Sequence, residues 1–115
     1  MADNLKEEVV KLHAQVCNGL ADPNRILIIY TLKDGPQCVN DIANIMELPQ
    51  PTISRHLKVL RERGIVRAER DGQTINYSLA DYRYIQALDL LRAALADQLN
   101  DQALLAQQAN INLVG

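Results

Sequence analysis

Between Arg55 and Arg70 the chain places six basic residues, Arg55, Lys58, Arg61, Arg63, Arg67 and Arg70, against two acidic ones, Glu62 and Glu69. That segment carries +4 in a chain whose total is −2, so the remainder is strongly acidic. A basic patch on an acidic body suits a polyanion met on one face, although a solvated helix face followed by a charged hairpin has the same composition. Short hydrogen-bonding side chains are interleaved with the charges: Gln50, Thr52, Ser54 and His56 around the start of the patch, and Gln73 and Thr74 just beyond it. Such groups reach base edges and phosphate oxygens, while Arg55, Lys58, Arg67 and Arg70 supply charge that releases counterions from phosphate.

The other reactive groups are two thiols, Cys17 and Cys38. They are too few for a disulfide framework and neither lies in a CxxC pair. His13 and Cys17 are four residues apart, hence on one face of a helix. With Cys38 they would form a His-Cys-Cys site for a thiophilic metal ion or arsenite if the first helix approaches the third, within one copy or across a dimer. The competing reading makes Cys17 a small buried hydrophobe. Cys38 falls at or next to a helix N-cap, where the helix dipole favours thiolate and Asp41, one turn on, opposes it. It is either a redox-sensing thiol, with Cys17 as its resolving partner, or an ordinary capping residue. Catalysis finds no footing: His13 and His56 are the sole histidines, and the chain has no GxSxG, no HExxH and no Gly-rich phosphate loop after a strand. The expectation is a protein that is not an enzyme.

These groups need a scaffold. At 115 residues, 48% apolar and 23% charged, the chain has the size and composition of one globular domain. Four Tyr are its only aromatics, so the core must be aliphatic. No apolar run approaches the ~20 residues of a membrane span, and residues 1–11 lack the apolar core of a signal peptide. The reading is therefore cytoplasmic, with no membrane partner.

Leu5, Val9, Leu12, Val16 and Leu20 recur at the 3–4 spacing of an amphipathic helix. Asp22-Pro23 reads as an N-cap and first turn opening a second, largely buried helix through Leu32, which Asp34-Gly35-Pro36 stops. A short third helix spans 39–46 with Ile42, Ala43 and Ile45 facing inward. After Leu48-Pro49-Gln50-Pro51, a fourth helix carries the apolar stripe Ile53, Leu57 and Leu60 and ends at Gly64. Residues 65–70 and 73–79, joined by Asp71-Gly72, read as a hairpin. Asp81 opens a last helix with Ile85, Leu88, Leu91, Leu95 and Leu99 in one stripe. Residues 1–106 form one domain in this reading, and 107–115 a flexible tail.

Two short helices joined by a four-residue turn and followed by a hairpin make a mainly α winged helix-turn-helix with a small β-hairpin: four helices, two strands and a fifth helix. The second helix of such a pair presents its N-terminal polar residues to the major groove, and the wing reaches backbone or minor groove. Gln50, Thr52, Ser54, Arg55, His56, Lys58, Arg67, Arg70 and Gln73 are the candidate DNA contacts. The first and last helices are left over, and their apolar stripes, Leu5, Val9 and Leu12 with Leu88, Leu91, Leu95 and Leu99, suit a two-fold interface. Dimerisation would set two recognition helices about one DNA turn, roughly 34 Å, apart. A winged-helix module that binds protein instead of DNA is the alternative.

The segment from Leu20 to Ile29, LADPNRILII, resembles the "LADPTRLxIL" opening of the ArsR/SmtB repressors. Pro51 to Arg61 is similar to their recognition helix "STVSxHLKxLR", and Gly64-Ile65-Val66 with Arg70 to Leu79 resembles "AGLV…REGRxxxYxL" of their wing. The resemblance covers roughly residues 10–100. It implies a homodimeric winged-helix repressor, paired through its first and last helices, that leaves operator DNA when a metal or thiol oxidant binds. The family's soft-metal sensors carry "ELCVCDL", where this chain has Pro36-Gln37-Cys38-Val39-Asn40-Asp41-Ile42, so one of two cysteines is missing. Its zinc sensors carry Asp-x-His at the start of the last helix, where this chain has Asp81-Tyr82-Arg83, and an arginine is no zinc ligand. The effector is therefore a metal or arsenite at an unusual site, or a thiol-redox signal without metal, or there is none.

Overall fold

A computed structural model describes residues 2–114, with side chains for residues 2–110. The chain divides into two compact units, Met1–Tyr84 and Ile85–Gly115. The first holds a helical N-terminal rod, the helix-turn-helix and a small sheet. The second is the greater part of one long helix.

The rod begins with α1 (Asp3–Leu12), passes through a π-helical turn (His13–Cys17) and ends in α2 (Asn18–Leu20). The sequence pattern predicts one regular α-helix here. The π turn adds a residue to one turn of the rod and so rotates the faces on either side of it. Along α1 nothing is buried. Past the π turn the covered side is Val16, Gly19 and Leu20. Cys17, the next residue round the helix from Val16, is exposed. The expectation of a buried Cys17 is thus corrected within a single copy.

Helix α3 (Pro23–Thr31) starts as its sequence dictates: Asp22 is extended at the N-cap, its carboxylate accepts the Asn24 N–H at 2.8 Å, and Pro23 fills the first turn. At the end of the rod, Arg25 donates from Nε to Gly19 O at 2.7 Å and from Nη2 to Asn18 O at 3.2 Å, the latter shared with the Ala21 N–H, so it binds the carbonyls at the end of α2. Helix α4 (Val39–Met46) buries Ile42 and Ala43, but Ile45 is 57% exposed, contrary to the inward position expected for it. Its inner face is the narrower one set by the i, i+1 pair Ile42 and Ala43. Helix α5 (Gln50–Glu62) buries the expected stripe Ile53, Leu57 and Leu60, each fully. With Ile28, Ile29 and Leu32 of α3, and with Ile65 and Val66 beyond α5, these form the aliphatic core of the first unit.

The two ends around the helix-turn-helix are tight. Glu47 takes a left-handed backbone (φ 55°) after α4, and Leu48 N–H bonds back to Ala43 O at 3.1 Å. After α5, Gly64 (φ 74°) donates to Arg61 O at 3.0 Å and Ile65 donates to Leu60 O at 2.9 Å. This is a Schellman ending, with buried Ile65 against the level of buried Leu60.

The hairpin consists of β2 (Val66–Asp71) and β3 (Thr74–Leu79), closed by the pair Asp71 and Thr74. The loop is therefore Gly72-Gln73, one residue later than Asp-Gly suggests. Gly72 alone has positive φ (65°), which fits the turn type with glycine at its first central position. A strand the sequence did not announce, β1 (Gln37–Cys38), pairs antiparallel with β3 through Gln37–Tyr77 and Cys38–Asn76. It makes a three-stranded sheet ordered β1-β3-β2. Gln37 anchors it by donating from Nε2 to Thr31 O at 2.7 Å.

The long helix α6 (Arg83–Val114) includes 107–114 of the segment expected as a flexible tail. Ile85 and Leu88 are buried, and every described side chain beyond Leu88 is exposed. Among the described residues no helix is long and apolar enough to cross a membrane.

The two left-handed positions give opposite expectations. Glu47→Gly should raise the unfolding free energy, and Gly64→Ala lower it, by roughly 1 kcal/mol each. Urea denaturation checks this as opposed shifts in midpoint with an unchanged slope.

Candidate nucleic-acid interface

Burying Ile53, Leu57 and Leu60 leaves the other side of α5 to polar residues. Gln50, Arg55, Lys58 and Arg61 are exposed, and Thr52 and Ser54 are half-buried. Arg55 Nη2 lies 3.5 Å from Thr52 Oγ1, which directs the guanidinium along the helix surface toward its N-terminus. On β2, Arg67 and Arg70 are exposed. Among the described residues none of Arg55, Lys58, Arg67 and Arg70 pairs with a carboxylate. Their charges are available to an external anion, and phosphate is the anion whose spacing along a strand rewards several such cations at once.

Helix and wing meet at one place. Gln50 at the start of α5 and Gln73 and Thr74 at the wing tip line a hollow of about 310 Å³ together with Cys38, Asn40 and Tyr77. Polar groups from both elements, expected from sequence to read DNA separately, are therefore neighbours. Arg70 sits apart from that hollow, beside Glu69, Asp71 and Asn76 on another flank of the hairpin.

His56 is placed differently from its neighbours. Its side chain is only 16% exposed and Nε2 lies 4.0 Å from Asp22 Oδ1, so it faces the start of α3. A groove contact is a poor description of it. Arg63, half-buried where the other five cations of the patch are exposed, turns back onto the N-terminal rod. Nothing in the sequence spacing separates Arg63 from Arg61; only the Schellman bend at Gly64 does so.

The thiol candidates do not assemble. Cys38 is half-buried at the N-cap of α4, its backbone is extended (φ −83°, ψ 165°), and its thiol makes no capping bond. Cys17 is exposed on the rod. Among the described residues no three of His, Cys, Asp and Glu gather as a metal site, so His13, Cys17 and Cys38 of one copy do not fit a thiophilic ion. On the candidate dimer surfaces, Leu5, Val9 and Leu12 are about half exposed, and Leu91 (65% exposed), Leu95 and Leu99 are open. Leu88 differs: it is 5% exposed and already buried in a single copy.

Comparison with known proteins gives a consistent result. Residues 22–68 match the family model described as bacterial regulatory protein, arsR family. The repressor SmtB of Mycobacterium tuberculosis is 36% identical over 75 residues, which cover 65% of this chain and 56% of that protein. This chain thus spans little more than half the length of that relative. The arsenical resistance operon repressor of Bacillus subtilis is 35% identical over 80 residues, covering 69% of this chain and 76% of that protein. Among solved structures, the homodimeric winged helix-turn-helix DNA-binding domain Mb0332 of Mycobacterium bovis superposes with a TM-score of 0.72 at 25% identity, covering 86% of this chain and 91% of that one.

The start of α6 carries a built ion pair. Arg83 donates from Nε to Asp81 Oδ1 and Oδ2, both at 3.1 Å, and from Nη2 to Oδ2 at 2.7 Å, while its own N–H reaches Oδ1 at 2.8 Å. Those bonds, the side-chain ones first, hold the Asp81 carboxyl at about 2 against its ordinary 3.8. A carboxylate so occupied is committed to the helix start and not to a metal. Because its folded value is depressed, the pair's contribution is present above the unfolded value and is lost as pH falls through about 2. Carboxyl NMR titration should place the Asp81 midpoint near 2, and Arg83→Ala should move it up toward 3.8.

Proposed function

The chain belongs to the arsR family of bacterial regulatory proteins, and we propose that it is a sequence-specific transcriptional repressor that binds operator DNA as a homodimer in the cytoplasm. The observation that carries the reading is the set of exposed cations Arg55, Lys58 and Arg67, none of which pairs with a carboxylate among the described residues, on the helix and wing that also carry Gln50, Ser54 and Gln73. Phosphate neutralisation by the cations would position the protein, and the polar groups at the N-terminal part of α5 would read base edges. One module of this size buries little DNA surface, so two copies are needed for specific affinity. The open stripe Leu91, Leu95 and Leu99, with Leu5, Val9 and Leu12, supports pairing through the terminal helices.

For the effector, the observation that favours a reading is the position of Cys38. Its half-buried thiol lines the hollow shared by Gln50 and Gln73, so a group added there would crowd the proposed base-reading side chains. We assign it a thiol-reactive signal, an oxidant or arsenite. A metal shared with His13 and Cys17 would have to draw on a second copy. Cys38→Ser is expected to bind DNA like the parent and to stay bound in the presence of peroxide or arsenite. Release equal to that of the parent overturns the assignment.

Fluorescence anisotropy with DNA from the chain's own upstream region tests the main reading. Arg55→Ala should weaken binding about ten-fold and lower the slope of log affinity against log salt by about 1. Ser54→Ala should weaken binding to the specific sequence more than to random DNA. Leu91→Asp or Leu95→Asp should sediment as monomers and lose DNA as a consequence. Affinity of the parent that is insensitive to salt between ~50 and ~200 mM would instead favour a protein partner.

A further inference from the structure

Arg63 is the last residue before the bend that ends α5, yet its side chain runs away from the proposed DNA surface. Nη1 donates to Ala14 O and, at 3.3 Å, to Gln15 O on the π turn of the N-terminal rod. Gln15 answers by donating from Nε2 to Arg63 O at 3.3 Å. Side chain and backbone of the same residue are thus both tied to the rod, 48 positions away in sequence.

The π turn explains why Ala14 O is open to an outside donor. Asn18 N–H bonds His13 O, five residues back, and so does not serve Ala14 O, its partner in a regular α-helix. Ala14 O is taken up by Asn18 Nδ2 at 3.3 Å and by Arg63. One turn on, Gly19 makes the approach close. A Cβ there would lie 2.8 Å from Ile65 Cδ1 and 2.9 Å from Arg63 Cδ, distances real Cβ atoms do not show. A side chain there would have to push Ile65 Cδ1 and Arg63 Cδ aside, and glycine lets the rod rest on this corner without that shift. The corner itself is stiff, because Gly64 and Ile65 close the Schellman ending of α5.

We propose that Arg63 is a positioning residue for DNA binding: it locks the recognition helix α5 to the N-terminal rod and never touches DNA. The inference rests on the repressor reading and deepens it, since it makes the proposed dimer helix and the DNA helix parts of one rigid connection. It also removes one cation from the phosphate-binding count. A change in how copies pair through α1 would be passed to α5 through this clasp.

The test uses the full chain. Arg63→Met removes the donors and the charge but keeps the aliphatic stem. Gly19→Ala keeps the arginine and pushes it off its carbonyls. Both should weaken operator binding about ten-fold, or ~1.4 kcal/mol, with an unchanged slope of log affinity against log salt and unchanged sedimentation as a dimer. Both should also speed amide exchange along residues 14–20. Arg63→Lys, which restores a cationic donor, should recover part of the affinity and of the protection. A slope lowered by about 1 in Arg63→Met would make Arg63 a phosphate contact and overturn the proposal. Unchanged affinity with unchanged exchange overturns it as well. If the parent binds no DNA, the repressor reading fails while exchange still judges the clasp: protection lost in Arg63→Met upholds the connection, and protection retained refutes it. Should Gly19→Ala not fold, Arg63→Met and Arg63→Lys decide between these outcomes, since Arg63 is a partly exposed side chain.

Discussion

Burial of Ile53, Leu57 and Leu60 on one side of α5 is the constraint from which the rest of the arrangement follows. Each of these side chains contributes roughly 1.5–3 kcal/mol on leaving water, and they can do so only with one face of the helix turned inward. That choice leaves Gln50, Arg55, Lys58 and Arg61 outside without any further instruction. It also fixes where α5 must end, because Leu60 needs Ile65 beside it and Gly64 provides the turn between them. With α5 held, the hairpin begins at Val66, itself buried, and the wing tip arrives beside Gln50.

Much of this was legible in sequence where local chemistry is decisive. Asp22-Pro23 starts a helix because a carboxylate and a residue without an N–H suit that position, and Gly64 ends one because its backbone must be left-handed. Periodicity likewise found the buried stripe of α5. The failures have a common origin in interactions that spacing does not encode. Strand β1 is two residues long, too short for any alternation, and exists because β3 offers an edge. The π turn at His13–Cys17 has no composition of its own; it shifts the covered side of the rod and leaves Cys17 exposed. Ile45 is apolar but lies off the narrow inner face of α4. The hairpin loop falls one residue late because only one of its positions needs positive φ.

The charged residues show the same division. Six cations between 55 and 70 look equivalent in sequence, and the structure sorts them by what each side chain can reach. Among the described residues Arg55, Lys58 and Arg67 form no ion pair, Arg70 lies by the acidic flank of the hairpin, and Arg63 is spent on backbone carbonyls. His56, interleaved with them, faces Asp22. A motif match assigns roles by position, but burial and hydrogen-bond partners decide whether a side chain is free to meet a ligand. The same holds at the start of α6, where Arg83 stands in place of a metal ligand and holds the neighbouring carboxylate for itself.

Arginine is used structurally twice on the rod, and the two uses answer one difficulty. Arg25 donates to Asn18 O and Gly19 O at the end of α2, and Arg63 donates to Ala14 O and Gln15 O at the π turn. In both places the regular helical ladder is interrupted, by the π turn or by the helix end, and a planar fork with several N–H groups can serve two carbonyls at once. A lysine could neutralise one carbonyl but would not fix the angle between two. Because Arg25 belongs to α3 and Arg63 to the end of α5, the rod is gripped both by the helix that precedes the helix-turn-helix and by its second helix. An N-terminal segment with no buried residue along α1 is therefore oriented by its last two turns alone. In the proposed dimer, whatever covers Leu5, Val9 and Leu12 would act on α5 through those turns.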